Sequence, residues 1–229
     1  MPLHIQSTSL YLLSLFILLM SSSPIQMVKA DSTRPVPGNY CPSANILMIT
    51  AEDLSSSLEL IMRSRAAQAI GGLTEMASTL NAAGTTLQQA ASRGAGARTA
   101  LLIHSIILAR VNDKNDQLLA WFPLLHSAIL ALPDDQTQSA ADDAVWRAEE
   151  ILKRDQAGNP LEQLGKAQHF LTCDGLNLPL QAALDEHKRL IIKMSRKLKP
   201  VVQKDYDKII DSLRNTMAFI LEHSKKTTR

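Results

Sequence analysis

TALLIHSIILARVNDKNDQLLAWFPLLHSAILAL, residues 99–132, is the stretch whose reading decides the fold. Two apolar runs, 99–109 and 118–132, flank the polar island RVNDKNDQ, and the second run carries Trp121 and Phe122 in a chain with only 2 Trp and 4 Phe. Segments this apolar have to be covered, and the rest of the chain supplies amphipathic helices to cover them. Pro123 would strain one continuous helix, so the pattern predicts two helical arms with the polar island as their turn. The expected fold is all-α: a single-domain helical bundle of about six or seven helices around this central apolar helical hairpin.

Working outward, residues 1–30 read as a signal peptide. The apolar run LYLLSLFILLM at 10–20 has signal-peptide length, and Val28-Lys29-Ala30 fits a cleavage site after Ala30. The run is too short for a spanning helix, which needs about 20 apolar residues. Lys29 is the only charged side chain in 1–30, so its removal leaves 23 basic against 22 acidic residues and a net charge of +1. That balance gives no general attraction to nucleic acid. The charge is uneven, however: residues 185–229 hold 12 Lys or Arg against 6 Asp or Glu.

Residues 31–49 read as an extended leader, because DSTRPVPGNYCPS packs three prolines and a glycine into its first part. The helical bundle domain is expected over 50–229. Thr50 is placed to cap its first helix, with Leu54, Leu58, Ile61, Leu73, Met76 and Leu80 as the apolar stripe and a break or kink at Gly71-Gly72. A helix over 140–154 follows the apolar pair, and Pro160 begins a short helix to Leu171. Pro179 is expected to open the next helix, Pro200 to close it, and 201–223 to form the last. No stretch shows strand-like alternation.

Cys41 and Cys173 are the only cysteines. An even count in an exported chain points to a disulfide between them, which would close a long loop worth up to about 5 kcal/mol in chain entropy.

Chemistry-bearing motifs are sparse. HExxH, GxSxG, CxxC and phosphate-binding glycine loops are absent from the sequence. His169 and Cys173 stand four apart, but one pair does not make a metal site. His104, His126 and His187 fall in apolar stripes and read as packed residues. No catalytic residue, cofactor or metal is therefore assigned.

Two surfaces are candidates for binding. Lys188, Arg189, Lys193, Arg196 and Lys197 could form an anionic-ligand or partner surface, set against the plain alternative of a solvated basic face. Trp121, Phe122, Leu125 and Ile129 would form either the core or the lining of an apolar cavity. The expected function is a secreted, extracellular protein that acts by non-catalytic binding to another protein, as a ligand or effector. Two alternatives stay open: a carrier of a small apolar ligand or lipid, and a membrane-active protein using the 99–132 hairpin. The second is weakened by length, since arms of 11 and 15 residues reach about 16 and 22 Å against roughly 30 Å of hydrocarbon.

Overall fold

Every regular element among the described residues of the computed structural model is a helix. The described residues are 35–109, 115–154, 156–196 and 200–227. The helices are α1 (Ala44–Ala69), α2 (Leu73–Ala91), α3 (Ala95–Ala109), α4 (Asn115–Leu119), α5 (Phe122–Leu130), α6 (Gln136–Arg154), α7 (Pro160–Phe170), α8 (Asp174–Arg196) and α9 (Gln203–Thr227). The expected count of six or seven becomes nine among these residues, one of them the single turn α4. The signal-peptide reading of 1–30 and residues 110–114 of the polar island lie outside the described residues.

The helices pack as two rings. In the first, α1 lies on α2, α2 on α8, α8 on α9, and α9 returns to α1. In the second, α3 packs on α5, α5 on α6, α6 on α7, and α7 on α3, with α4 added against α6. Each ring has its own core. Leu47, Leu54, Ile61, Leu80, Leu87, Tyr206, Ile209 and Leu213 belong to the first. Ile103, Ile106, Phe122, Leu125, Ile129, Val145, Leu152 and Leu164 belong to the second. The apolar 99–132 stretch therefore fills one of two cores, and α1, α2, α8 and α9 cover each other.

The reason lies in the small residues of α1 and α2. The buried face of α1 runs Leu47, Thr50, Leu54, Ser57, Ile61, Ser64 and Ala67, a three-and-four spacing that alternates large and small side chains. The small members let α2 approach, and their hydroxyls are satisfied across the contact: Ser57 donates to the Ala83 carbonyl at 3.2 Å and Ser64 to that of Met76 at 2.9 Å. Ser64 also meets the hydroxyl of buried Tyr206 at 3.0 Å, linking α9 to the same seam. Gly84 does the equivalent for α8, since a Cβ there would overlap the His187 ring. That ring is held by a 2.8 Å hydrogen bond from Nε2 to the Leu80 carbonyl.

Several local expectations shift. Gly71 adopts φ +78°, a conformation favourable to glycine, and the expected kink becomes a full reversal that folds α2 back on α1. The first helix begins at Ala44 rather than Thr50, and the Thr50 hydroxyl bonds back to Ile46 at 2.8 Å within the helix. Pro179 sits inside α8, which starts at Asp174. Pro123 falls in the first turn of α5, where a missing N–H costs little.

The second ring is tied by charge as well as by apolar packing. His126 on α5 faces two carboxylates of α6, with Nδ1 3.0 Å from Asp142 and Nε2 3.2 Å from Glu149. Lys153 adds a 2.8 Å ion pair to Glu149. Burial works to raise the Glu149 carboxyl, but the hydrogen bonds from Lys153 and His126 outweigh it and hold the group below its ordinary value. Asp205 behaves alike: burial opposes its charge, and Lys193, the Val202 N–H and Lys208 prevail.

A carboxyl held low in the folded state adds stability that is complete above its unfolded value and drains away as pH falls towards its folded one. Denaturant unfolding should accordingly show stability declining below about pH 4.5. Glu149→Gln should cost about 1–3 kcal/mol at pH 7 and flatten that acid limb. An unchanged limb would remove Glu149 from the account.

Candidate functional site

The chain crosses from the first ring to the second at Ser92–Gly94 and back at Leu171–Cys173. Residues 38–41 of the leader lie along the return crossing as a strap. Gly38 N–H donates to the His169 carbonyl at 2.8 Å, Tyr40 N–H to that of Thr172 at 2.9 Å, and Asp174 N–H to that of Gly38 at 2.8 Å. Cys41 and Cys173 close the strap as a disulfide, with Cα atoms 4.6 Å apart. Asn39 and Cys173 also form the isolated β-bridge of the described residues. Gly38, at φ +78°, lies so close to Asp174 that a Cβ would overlap its carboxylate.

Beside this strap a groove of about 860 Å³ opens where the two rings meet. Its volume is in the upper part of the range for small-molecule sites, about 300–1,000 Å³. The first ring contributes Ala90 and Ala91 from the end of α2, and Leu176, Leu180 and Leu184 from the start of α8. The second contributes Gly96, Ala97, Ala100 and Leu101 from α3, and Leu171 after α7. Ala90, Gly96, Ala100, Leu171, Leu176 and Leu180 are buried, so the floor is apolar. Gln88, His104, Asp135, Gln168, Asn177 and Gln181 bring polar groups to its rim.

Small residues make the space. Residues 91–97, ASRGAGA, are without bulky apolar side chains at the point where a ring-to-ring contact would otherwise be filled. Gly96 is buried and closely approached, since a Cβ there would overlap the ring of Tyr40. Burial raises the Tyr40 phenol, and the nearby Asp135 carboxylate raises it further. Arg93 lines the groove but is already engaged: Nε and Nη2 donate to the two oxygens of Asp53 at 2.6 and 3.0 Å. That hydrogen bonding raises the guanidinium further above neutrality, with desolvation working against it and the Asp53 and Glu52 charges adding to it.

Of the residues singled out in the sequence, the cysteines and His104 line the groove, where His104 is exposed rather than packed in an apolar stripe, and the others fall elsewhere. Phe122, Leu125 and Ile129 are fully buried and packed with the α3, α6 and α7 side chains of the second core, so they line no part of the groove. Trp121 is 46 % exposed, at the break between α4 and α5. Their neighbours in sequence explain the difference, because the arms turn one face inward and leave Leu108, Leu124 and Leu130 exposed on the other.

Two of the basic candidates, Arg189 and Lys193, edge a smaller groove of about 300 Å³ between α8 and α9. Much of its charge is neutralised. Arg189 pairs with Glu186 at 2.6 Å, Lys193 with Asp205 at 2.5 Å, and Lys208 lies 4.0 Å from Glu186. Lys188 is exposed, while the Arg196 side chain and Lys197 lie outside the described residues. His169 meets Asp174 at 3.1 Å at the strap and stands apart from the oxidised Cys173 as a ligand pair. Among the described residues no group of three or more His, Cys, Asp or Glu is arranged to hold a metal ion.

The larger groove offers apolar burial with hydrogen bonding at its rim, the chemistry of holding a molecule. Scans against family models, characterised proteins and solved structures each find no match to this chain. The groove depends on the strap, which gives a direct test. Replacing both cysteines by serine should lower stability by roughly 2–5 kcal/mol in denaturant unfolding. A change below about 0.5 kcal/mol would show that the backbone hydrogen bonds alone hold the crossing.

Proposed function

We propose that this is a secreted helical protein that works without catalysis, taking up a small apolar or amphipathic molecule in the groove between its two helical rings. The observation that carries the reading is the groove itself: about 860 Å³, apolar in its buried floor and polar at its rim. The second core beside it is solid where the apolar arms meet, since Phe122, Leu125 and Ile129 show no exposed surface at all. Export is supported by the apolar run at 10–20 and by the Cys41–Cys173 disulfide, a bond that persists in oxidising compartments.

Ala97 lines the groove without being fully buried, so a larger side chain there has solvent to lean towards. Ala97→Phe should keep the fold and occupy the space. Uptake of an uncharged apolar fluorophore such as Nile red should be saturable in the parent protein and fall at least about tenfold in the variant. Equal uptake by both would place the ligand somewhere else and end this reading.

A second reading, binding to another protein, draws on a separate observation. Leu101, Leu108, Trp121, Leu124 and Leu130 are 44–67 % exposed on α3 and around α5, and exposed apolar groups on an exported protein commonly serve contacts. Leu108→Asp with Leu124→Asp should then abolish any specific protein complex while leaving Nile red uptake intact. Retention of the complex would discard that face. Membrane insertion has less support: no helix of the described residues is long and apolar enough to cross a bilayer.

A further inference from the structure

Resting on the ligand-binding reading, we infer that the groove selects an amphiphile with an uncharged, hydroxyl-bearing head, of the long-chain alcohol or monoacylglycerol class, over a fatty acid of the same chain. The argument is one of charge. Arg93 is the one fixed cation among the residues described as lining the groove, and both oxygens of Asp53 already hold it. A carboxylate head would have to compete with a paired anion at about hydrogen-bond distance, and gains little from a cation so compensated.

The other fixed charge points the same way. Asp135 lies on the groove wall, and its Oδ1 accepts the Gln138 N–H at 2.7 Å as the cap of α6, which keeps the carboxylate in place. Its field reaches Tyr40, whose phenolate it disfavours after burial has done so, and the groove wall there carries negative charge. An anionic head meets repulsion there.

An uncharged head faces neither cost. The carboxamides of Gln88, Gln168 and Asn177 stand along the same rim, able to donate to or accept from a hydroxyl, and the Thr172 hydroxyl, which donates to the His169 carbonyl, is left to accept. Ala100, Leu176 and Leu180 in the floor then take the chain, whose methylenes gain by leaving water whichever head they carry.

The test displaces Nile red from the intact protein with monolauroylglycerol or with laurate, at pH 8 and below the micelle threshold of either. The glycerol ester should bind about fivefold more tightly, the scale of one partly screened charge contact. Asp135→Asn keeps the helix cap and should narrow that ratio, and Asp53→Asn, which leaves Arg93 uncompensated, should narrow or reverse it. Laurate binding as tightly as the ester in the parent protein would overturn the inference, as would a ratio that neither variant moves. Nile red uptake that neither lipid displaces would overturn it too. Failure to take up Nile red at all would instead sink the ligand-binding reading beneath it.

Discussion

The strap of residues 38–41 against the α7–α8 crossing is the constraint on which the rest of the molecule depends. Two helical rings with separate cores are joined where the chain passes between them, and helix-to-helix contact between the rings is slight. Three backbone hydrogen bonds and the Cys41–Cys173 bond fix one of those passages. The Arg93–Asp53 pair fixes the other by tying the start of the outgoing crossing to α1. With both passages held, the space between the rings stays a defined groove.

The two rings reach similar burial by different chemistry. The second packs Phe122, Leu125, Ile129 and other apolar side chains, and sets His126 within hydrogen-bond distance of Asp142 and Glu149. The first uses long helices with alternating large and small positions, where serine hydroxyls return hydrogen bonds to the facing backbone. Close approach of α1 to α2 therefore comes from what the residues lack in bulk. Hydropathy alone undervalues such a face, and Ser57 and Ser64 look like surface residues until α2 is placed on them.

The groove follows from the same preference for small residues, carried to the point where packing stops. Residues 91–97 are Gly- and Ala-rich, and in the structure they form the end of α2, the short crossing after it and the start of α3. Nothing in their local pattern announces a cavity, since a cavity is made by what fails to arrive from the other ring. The basic stretch was legible for its charge; Arg189 is paired within α8 by Glu186, but the pairing of Lys193 with Asp205 needed the fold of α9 onto α8. Trp121 is the reverse case: an aromatic in an apolar run, turned outward by the helix break beside Pro123.

By itself the sequence determined that the chain is helical, where most of its breaks fall, and that two cysteines in an otherwise thiol-free chain would pair. These are properties of neighbouring residues, set by three- and four-residue periodicity, by glycine and proline, and by cysteine count. Only the tertiary structure decided that Gly71 reverses the chain, that the helices close into two rings, and that a groove lies between them. Each of those depends on which faces meet across long stretches of sequence, and local periodicity carries no information about partners.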